Sequence, residues 1–287
     1  MADKQETAAP KSNLKSSKPD IASFAGLLIA LGGIIGGLMW EGGKISDIVQ
    51  ISAAIIVLGG TLGAVMVTSP LSALIAAVGG LKGVFFEEKL DPEAAVDEII
   101  AYATKARKSS IVSLEEDLEK AGDKFLQKAL GLAVDGTDLQ ELRKMMELEI
   151  AQSEHHHESA AKVFEGAGGY APTIGIIGAV LGLIQVMKHL ENIEEVGKGI
   201  AVAFVATVYG VAVSNLVFLP AANKLKARIR QEAQDKELLL EGVCSIVEGM
   251  NPKLIRVKLE AFLQHAGKSK KKAEAGAPAG APAEAKG

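Results

Sequence analysis

Cysteine is almost absent from this chain of 287 residues. Cys244 is the single thiol, which excludes an internal disulfide framework and fits a reducing compartment around it. Within VCSIV it reads as a small buried apolar residue. Charge is missing in a more informative way. Four stretches carry no Asp, Glu, Lys or Arg: Ile21 to Trp40, Ile48 to Leu81, Gly166 to Met187 and Gly199 to Asn223. Polar side chains inside the last two are sparse, among them Thr173, Gln185, Thr207, Tyr209, Ser214 and Asn215. None of these carries a unit charge at neutral pH, so an acyl enzyme, a metal site or a proton relay cannot be built from this pair alone. Strand-like alternation is lacking over 82–168, and phosphate cradles and nucleophile motifs are absent; the glycines recur at helix-packing spacing instead. A net charge of −4 gives no argument for a nucleic-acid partner.

What is present is apolar and concentrated. The hydrophobic fraction of 48% gathers in the four uncharged blocks, each long enough to cross a hydrocarbon core, which takes roughly 20 helical residues. The fold class expected is therefore all-α: a polytopic membrane protein with four transmembrane helices. Ile21 to Trp40 is longer than the roughly 7 to 15 apolar residues of a secretory signal, and no A-x-A site follows, so it reads as a retained span. Gly32, Gly33, Gly36 and Gly37 give it two overlapping G-x-x-x-G registers, a spacing that lets helices approach closely in lipid. Trp40 closes it, where an amphipathic ring suits the headgroup region. The second block, 34 residues or about 51 Å as a helix, exceeds one bilayer core. It should leave the membrane near Pro70, kinked or ended there, and continue as a cytoplasmic helix.

The polar segments read as helical. Between the second and third spans, Asp91-Pro92 starts a helix that runs to about Arg107. Ser113 with Glu116 predicts a capping box opening SLEEDLEKAG. Asp123 to Val134 is periodic, and a long helix begins at Asp138 and heads toward Gly166. After the fourth span Lys224, Lys226, Arg228 and Arg230 crowd the membrane edge. QEAQDKELLLEGVCSIVEGM then ends at Asn251-Pro252, and a short helix covers 252–264. The organisation expected is a flexible tail over 1–20, two spans with an extension over 21–81 and a helical domain over 82–168. Spans three and four follow over 169–223, then C-terminal helices over 224–266 and a low-complexity, disordered end over 267–287. Lysine and arginine are rich in both terminal regions and the large domain and poor in the two short turns, placing both termini and the domain in the cytoplasm. The run His155-His156-His157 invites a metal, but consecutive helical residues diverge by about 100°, so no metal site is expected.

Several words are more specific. KVFEGAGGYAPTIGIIGAVLGLIQVM from Lys162, ATVYGVAVSNLVFLPAANKL from Ala206 and EGVCSIVEGMNPKLIRVKLEAFL from Glu241 resemble the A-subunit of the bacterial flagellar stator, the MotA/PomA family. The resemblance extends from about Ile21 to Leu263. It implies an inner-membrane protein of the flagellar basal body, a homo-oligomer of five copies around the spans of two B-subunits. The aspartate of each B-subunit would carry the ion, supplying the carboxylate that these spans lack. It further implies that Pro172 and Pro220 couple the ion site to movement, that Arg107 and Glu115 face the rotor's switch-complex protein, and that Thr207 lines the ion path. Sodium-type relatives carry a threonine in a G-T-x-x-G word of the third span. Here that word is Gly178-Ala179-Val180-Leu181-Gly182, so the implied coupling ion is H⁺ rather than Na⁺, with no cofactor and no enzymatic activity. Thr173 could contribute an oxygen, but nearly two helical turns separate it from Ala179.

Blander readings stand beside these. Pro172 could begin a helix and Pro220 end one; Thr207 could bond back to its own helix; Arg107 and Glu115 could belong to a solvated charged face. Two other functions fit the composition: an energising subunit of an envelope complex of the TolQ/ExbB type, and a passive membrane scaffold. The former has three spans with its large cytoplasmic segment after the first, and the four-span order argues against it.

Overall fold

The computed structural model describes residues 15–275. Most of the expected N-terminal tail and the Ala/Pro-rich end lie outside the described residues. Among the described residues, four helices are long and apolar enough to cross a membrane. The chain separates into two compact units, one of residues 17–88 and 152–230, the other drawing on 89–151 and the segment after 231.

In the membrane unit, α1 (Ile21–Trp40) is capped by Asp20, whose side chain accepts from the Ser23 amide at 3.2 Å. Asp20 is itself buried and pairs with Lys224 and Arg228. The hydrogen bond from Lys224 is the main force holding its carboxyl down at about 2, against the burial that would raise it. No residue of α1 is buried, and a Cβ at Gly32, Gly33, Gly36 or Gly37 would meet nothing within 4 Å. The close approach these glycines permit is thus unused among the described residues. The second span is α2 (Ile51–Ala54), a π-helical turn (Ile55–Gly59) and α3 (Gly60–Thr68). It stops at Ser69 and Pro70, both extended, because the proline ring disfavours helical backbone in the residue before it. Helix α4 (Leu71–Phe85) then packs Ala73, Ala77 and Val84 into a cluster with Ala160, Phe164 and Ala222. Beyond α4 a short ladder forms between β1 (Lys15–Pro19) and β2 (Phe86–Leu90), two strands that the sequence reading did not contain.

The second unit is built from α5 (Pro92–Ser109), a 3₁₀ helix (Ile111–Lys120), α6 (Lys124–Val134), the start of α7 (Leu139–Lys188), and the later helices. Asp91 caps α5 with Pro92 in the first turn, and Asp123 caps α6 by accepting from the Phe125 and Leu126 amides. The capping box at Ser113 does not form. Ser110 has φ 79° and opens the 3₁₀ helix; Ser113 lies inside it and donates its hydroxyl to the Ser110 carbonyl at 2.6 Å. Ile99, Leu114, Leu126, Met146, Leu239 and Ile255 are fully buried and share one core. Cys244 is in the same core, where burial pushes its thiol up, as the surroundings of VCSIV implied.

Helix α7 is continuous over 50 residues and carries the third span. The fourth is α8 (Ile193–Val213), a second π-helical turn (Ser214–Phe218) and α9 (Leu219–Val247). Helix α10 starts at Pro252 and runs to Ala275, past the end expected at Gln264.

Candidate functional site

The third and fourth spans meet backbone to backbone. A Cβ on Gly182 would lie 2.7 Å from the Gly199 carbonyl oxygen and 2.8 Å from the Ala203 nitrogen. One on Gly175 would lie 2.9 Å from the Ala206 oxygen, and one on Gly210 would lie 2.5 Å from the Ala171 oxygen. Small residues on both helices therefore make one continuous seam, the packing that apolar helices use when lipid gives them no hydrophobic drive to associate. Tyr209 ties the fourth span to the start of the second: its hydroxyl donates to the Ile48 carbonyl at 2.6 Å and accepts from the Gln50 amide at 3.4 Å.

Pro172 sits inside α7, not at a helix start. A proline in a helix has no amide for the carbonyl four residues back, here Gly168. That carbonyl accepts instead from the Ser214 hydroxyl at 2.6 Å, and Ser214 is 1% exposed. Ser214 opens the π-helical turn that precedes Pro220. The Leu219 amide bonds the Ser214 carbonyl five residues back, and Pro220 then has no amide at all. Helical structure continues through both departures, so Pro220 does not end a helix. The two prolines were legible in the sequence. Ser214 was named there only as a polar residue, although an interior proline signals an orphaned carbonyl in need of a donor.

Thr207 is half-buried and donates back to the Ala203 carbonyl at 3.1 Å, which leaves its oxygen lone pairs open. On the helical wheel Thr207 and Ala179 are each offset from the seam on the side away from the second span. That span touches the opposite flank, through Ala53 and Val57 against Val205 and Ala206, and through Ile56 against Gly178. Thr173 is not brought to this side. It is exposed, donates to the Tyr170 carbonyl at 2.8 Å, and lies about 120° round α7 from Ala179.

In the other unit, Asp117 is 7% exposed and holds Lys105 from α5 and Lys120 from its own 3₁₀ helix. Burial would raise its carboxyl, but the bonds to the two lysines prevail and keep it below the usual range. Glu98 accepts from the Tyr102 hydroxyl at 2.7 Å and from the Gly122 amide at 3.1 Å, fastening the far end of the same segment. Arg107 and Glu115 are exposed and, among the described residues, have no ion-pair partner. The charged face thus separates into internal clamps and outward charges. Beside Arg107 lies a cavity of about 300 Å³ lined by Ala106, Ile111, Thr137, Val247 and Met250 among others. The side chains of His155, His156 and His157 are exposed, with the last two rings tilted 55° to each other at a centroid separation of 5.7 Å.

The clamp carries a prediction. Asp117→Ala should loosen the 3₁₀ segment by about 1–2 kcal/mol, because two partly exposed lysines lose one buried partner. Protease cutting within Ile111–Lys120, measured on membranes, should quicken roughly 5- to 30-fold. Glu116→Ala on the exposed side of that segment should leave the cutting rate unchanged.

Residues 24–110 match the motility protein A N-terminal family, and residues 117–238 match the MotA/TolQ/ExbB proton channel family. Motility protein A of Bacillus subtilis (strain 168) is 34% identical over 248 residues, covering 85% of this chain and 91% of the relative. Among solved structures, C. jejuni MotAB superposes with a TM-score of 0.80 at 30% identity, covering 85% of this chain and 95% of the other. The flagellar MotAB stator complex from Bacillus subtilis gives 0.78 at 34% identity, covering 84% and 95%.

Proposed function

The chain belongs to the motility protein A family within the MotA/TolQ/ExbB proton channel family, and from that premise we propose how its parts divide the work of a flagellar stator. It is the A-subunit, a four-span membrane protein of the ion-channel class. Five copies surround the spans of a B-subunit dimer in the bacterial inner membrane, with both termini and the helical domain in the cytoplasm. The observation that carries this reading is the tight seam between the third and fourth spans, which contains no carboxylate. An intramembrane acid is costly and functional where it occurs, so the ion-carrying carboxylate is the B-subunit's. The unused glycine face of α1 supports close contact with another helix in lipid.

Thr207 and Ala179 line the path against the B-subunit, Pro172 and Pro220 let the cytoplasmic ends of their spans move, and Arg107 with Glu115 meets the rotor's switch-complex protein. Four spans and the match over 24–110 favour this over a TolQ/ExbB-type subunit. A passive scaffold would have no use for unpaired charges beside an internally clamped segment.

The rotor contact is tested at Arg107. Arg107→Glu should leave membrane level and co-purification with the B-subunit unchanged while swimming speed falls severalfold, since exposed charges steer and register partners more than they hold them. A charge reversal on the rotor protein should restore speed. Normal swimming of Arg107→Glu cells would remove this residue from the interface.

A further inference from the structure

We propose that Ser214 is a positioning residue of the stator cycle, the contact through which the two proline-bearing spans move together. The inference rests on the reading that Pro172 and Pro220 take part in conformational coupling. The Gly168 carbonyl is orphaned by Pro172, and the Ser214 hydroxyl satisfies it from the neighbouring span at 2.6 Å. Both partners are fixed. Ser214 is 1% exposed, and a Cβ at Gly168 would already lie 2.5 Å from a Leu219 methyl carbon.

Ser214 also begins the π-helical turn, so its own carbonyl takes the slipped bond from Leu219 one residue before Pro220. One residue therefore closes the gap left by the first proline with its side chain and frames the second with its backbone. A π-helical turn is a helix with one residue in excess, and moving that excess changes the rotation of everything beyond it. Any such shift at 214–218 pulls on the Gly168 carbonyl, one turn below Pro172 in the third span. With Ser214 1% exposed, no water is at hand to replace the bond, so it must either hold or be exchanged for another protein donor.

The experiment uses the full chain co-expressed with its B-subunit in motile cells, reading membrane level, ion conduction and stall torque. Ser214→Cys keeps the size of the side chain but is a weak donor, and Ser214→Thr keeps the hydroxyl. Ser214→Cys and Ser214→Ala should accumulate normally and lose roughly 2- to 10-fold in torque for the same ion conduction, the shift in a two-state balance expected from one hydrogen bond. Ser214→Thr should retain most of the torque. In a Pro172→Ala background the restored amide takes the Gly168 carbonyl, so Ser214→Ala should cause no further loss.

Parental torque with Ser214→Cys would overturn the proposal, and so would an equal loss from Ser214→Ala in both backgrounds. If Ser214→Ala fails to accumulate, Pro172→Ala should rescue its level, and failure of that rescue would mean Ser214 is needed only for packing. Parental torque with Pro172→Ala alone would instead remove the proline reading, leaving the cysteine result to decide the role of the Ser214 bond.

Discussion

Gly210→Ala, the smallest possible change, should nearly eliminate swimming and deplete the assembled stator to below roughly a tenth of its parental level. The added methyl would sit 2.5 Å from the Ala171 carbonyl oxygen, 3.1 Å from the Gly175 Cα and 3.2 Å from the Pro172 Cα. All three are backbone atoms of α7, so no side chain can rotate out of the way. Overpacking a side-chain core costs about 1–3 kcal/mol because neighbours adjust. Here the adjustment is separation of two helices along a seam that also contains Gly175, Gly178 and Gly182. The Ser214 bond to Gly168 lies a short way along the same seam and would be lost with it. Gly166→Ala on α7 is the control, since its methyl would make only an ordinary contact of 3.8 Å with the Tyr170 ring. Quantitative immunoblotting of membranes, followed by co-purification with the B-subunit, measures both. A Gly210→Ala stator present at normal level would show that the seam opens without cost.

Much of this architecture was readable because its causes are local. Absence of charge over 21–40 set the first span to the residue, Asp91-Pro92 set the start of α5, and Pro70 broke the second block where its ring excludes helical backbone. Errors came where a distant partner decides. Ser113 and Glu116 have the spacing of a capping box, yet Asp117, gripped by Lys105 twelve residues earlier, draws the segment into a 3₁₀ helix that starts at Ile111. The ladder between β1 and β2 joins segments some seventy residues apart that no periodicity connects. Among the candidate site residues, the prolines, Thr207, Arg107 and Glu115 are proposed on resemblance, whereas Ser214 depends on a contact across 46 residues. The G-x-x-x-G registers of α1 were equally visible, but a small-residue face names no partner, and among the described residues it has none. Distance along the helix, nearly two turns, already separated Thr173 from Ala179, and the two also face about 120° apart.

Swimming should be independent of sodium and collapse when the proton gradient is dissipated. For either ion the driving force is about 2.3 kcal/mol per charge per 100 mV, so energetics does not select the ion and ligand supply must. A sodium ion gives up a water shell and needs several oxygens in return, whereas a proton rides on a carboxylate and needs no cage. On the side of the seam facing away from the second span, Ala179 presents a methyl group and Thr207 presents one hydroxyl, whose hydrogen is committed to the Ala203 carbonyl. Thr173, the other hydroxyl considered, bonds the Tyr170 carbonyl on a different side of α7. One oxygen is too few to strip a sodium ion, and the remaining ligands would all have to come from the B-subunit. Speed is to be measured at fixed pH and membrane potential while sodium replaces potassium, then with a protonophore. The expected outcome is a flat sodium response and loss of rotation on adding the protonophore. Ala179→Thr, which restores the second hydroxyl beside Thr207, should still require the proton gradient if the B-subunit adds no further oxygens. Rotation that rises with sodium and survives the protonophore would mean that the missing hydroxyl at position 179 does not determine the ion.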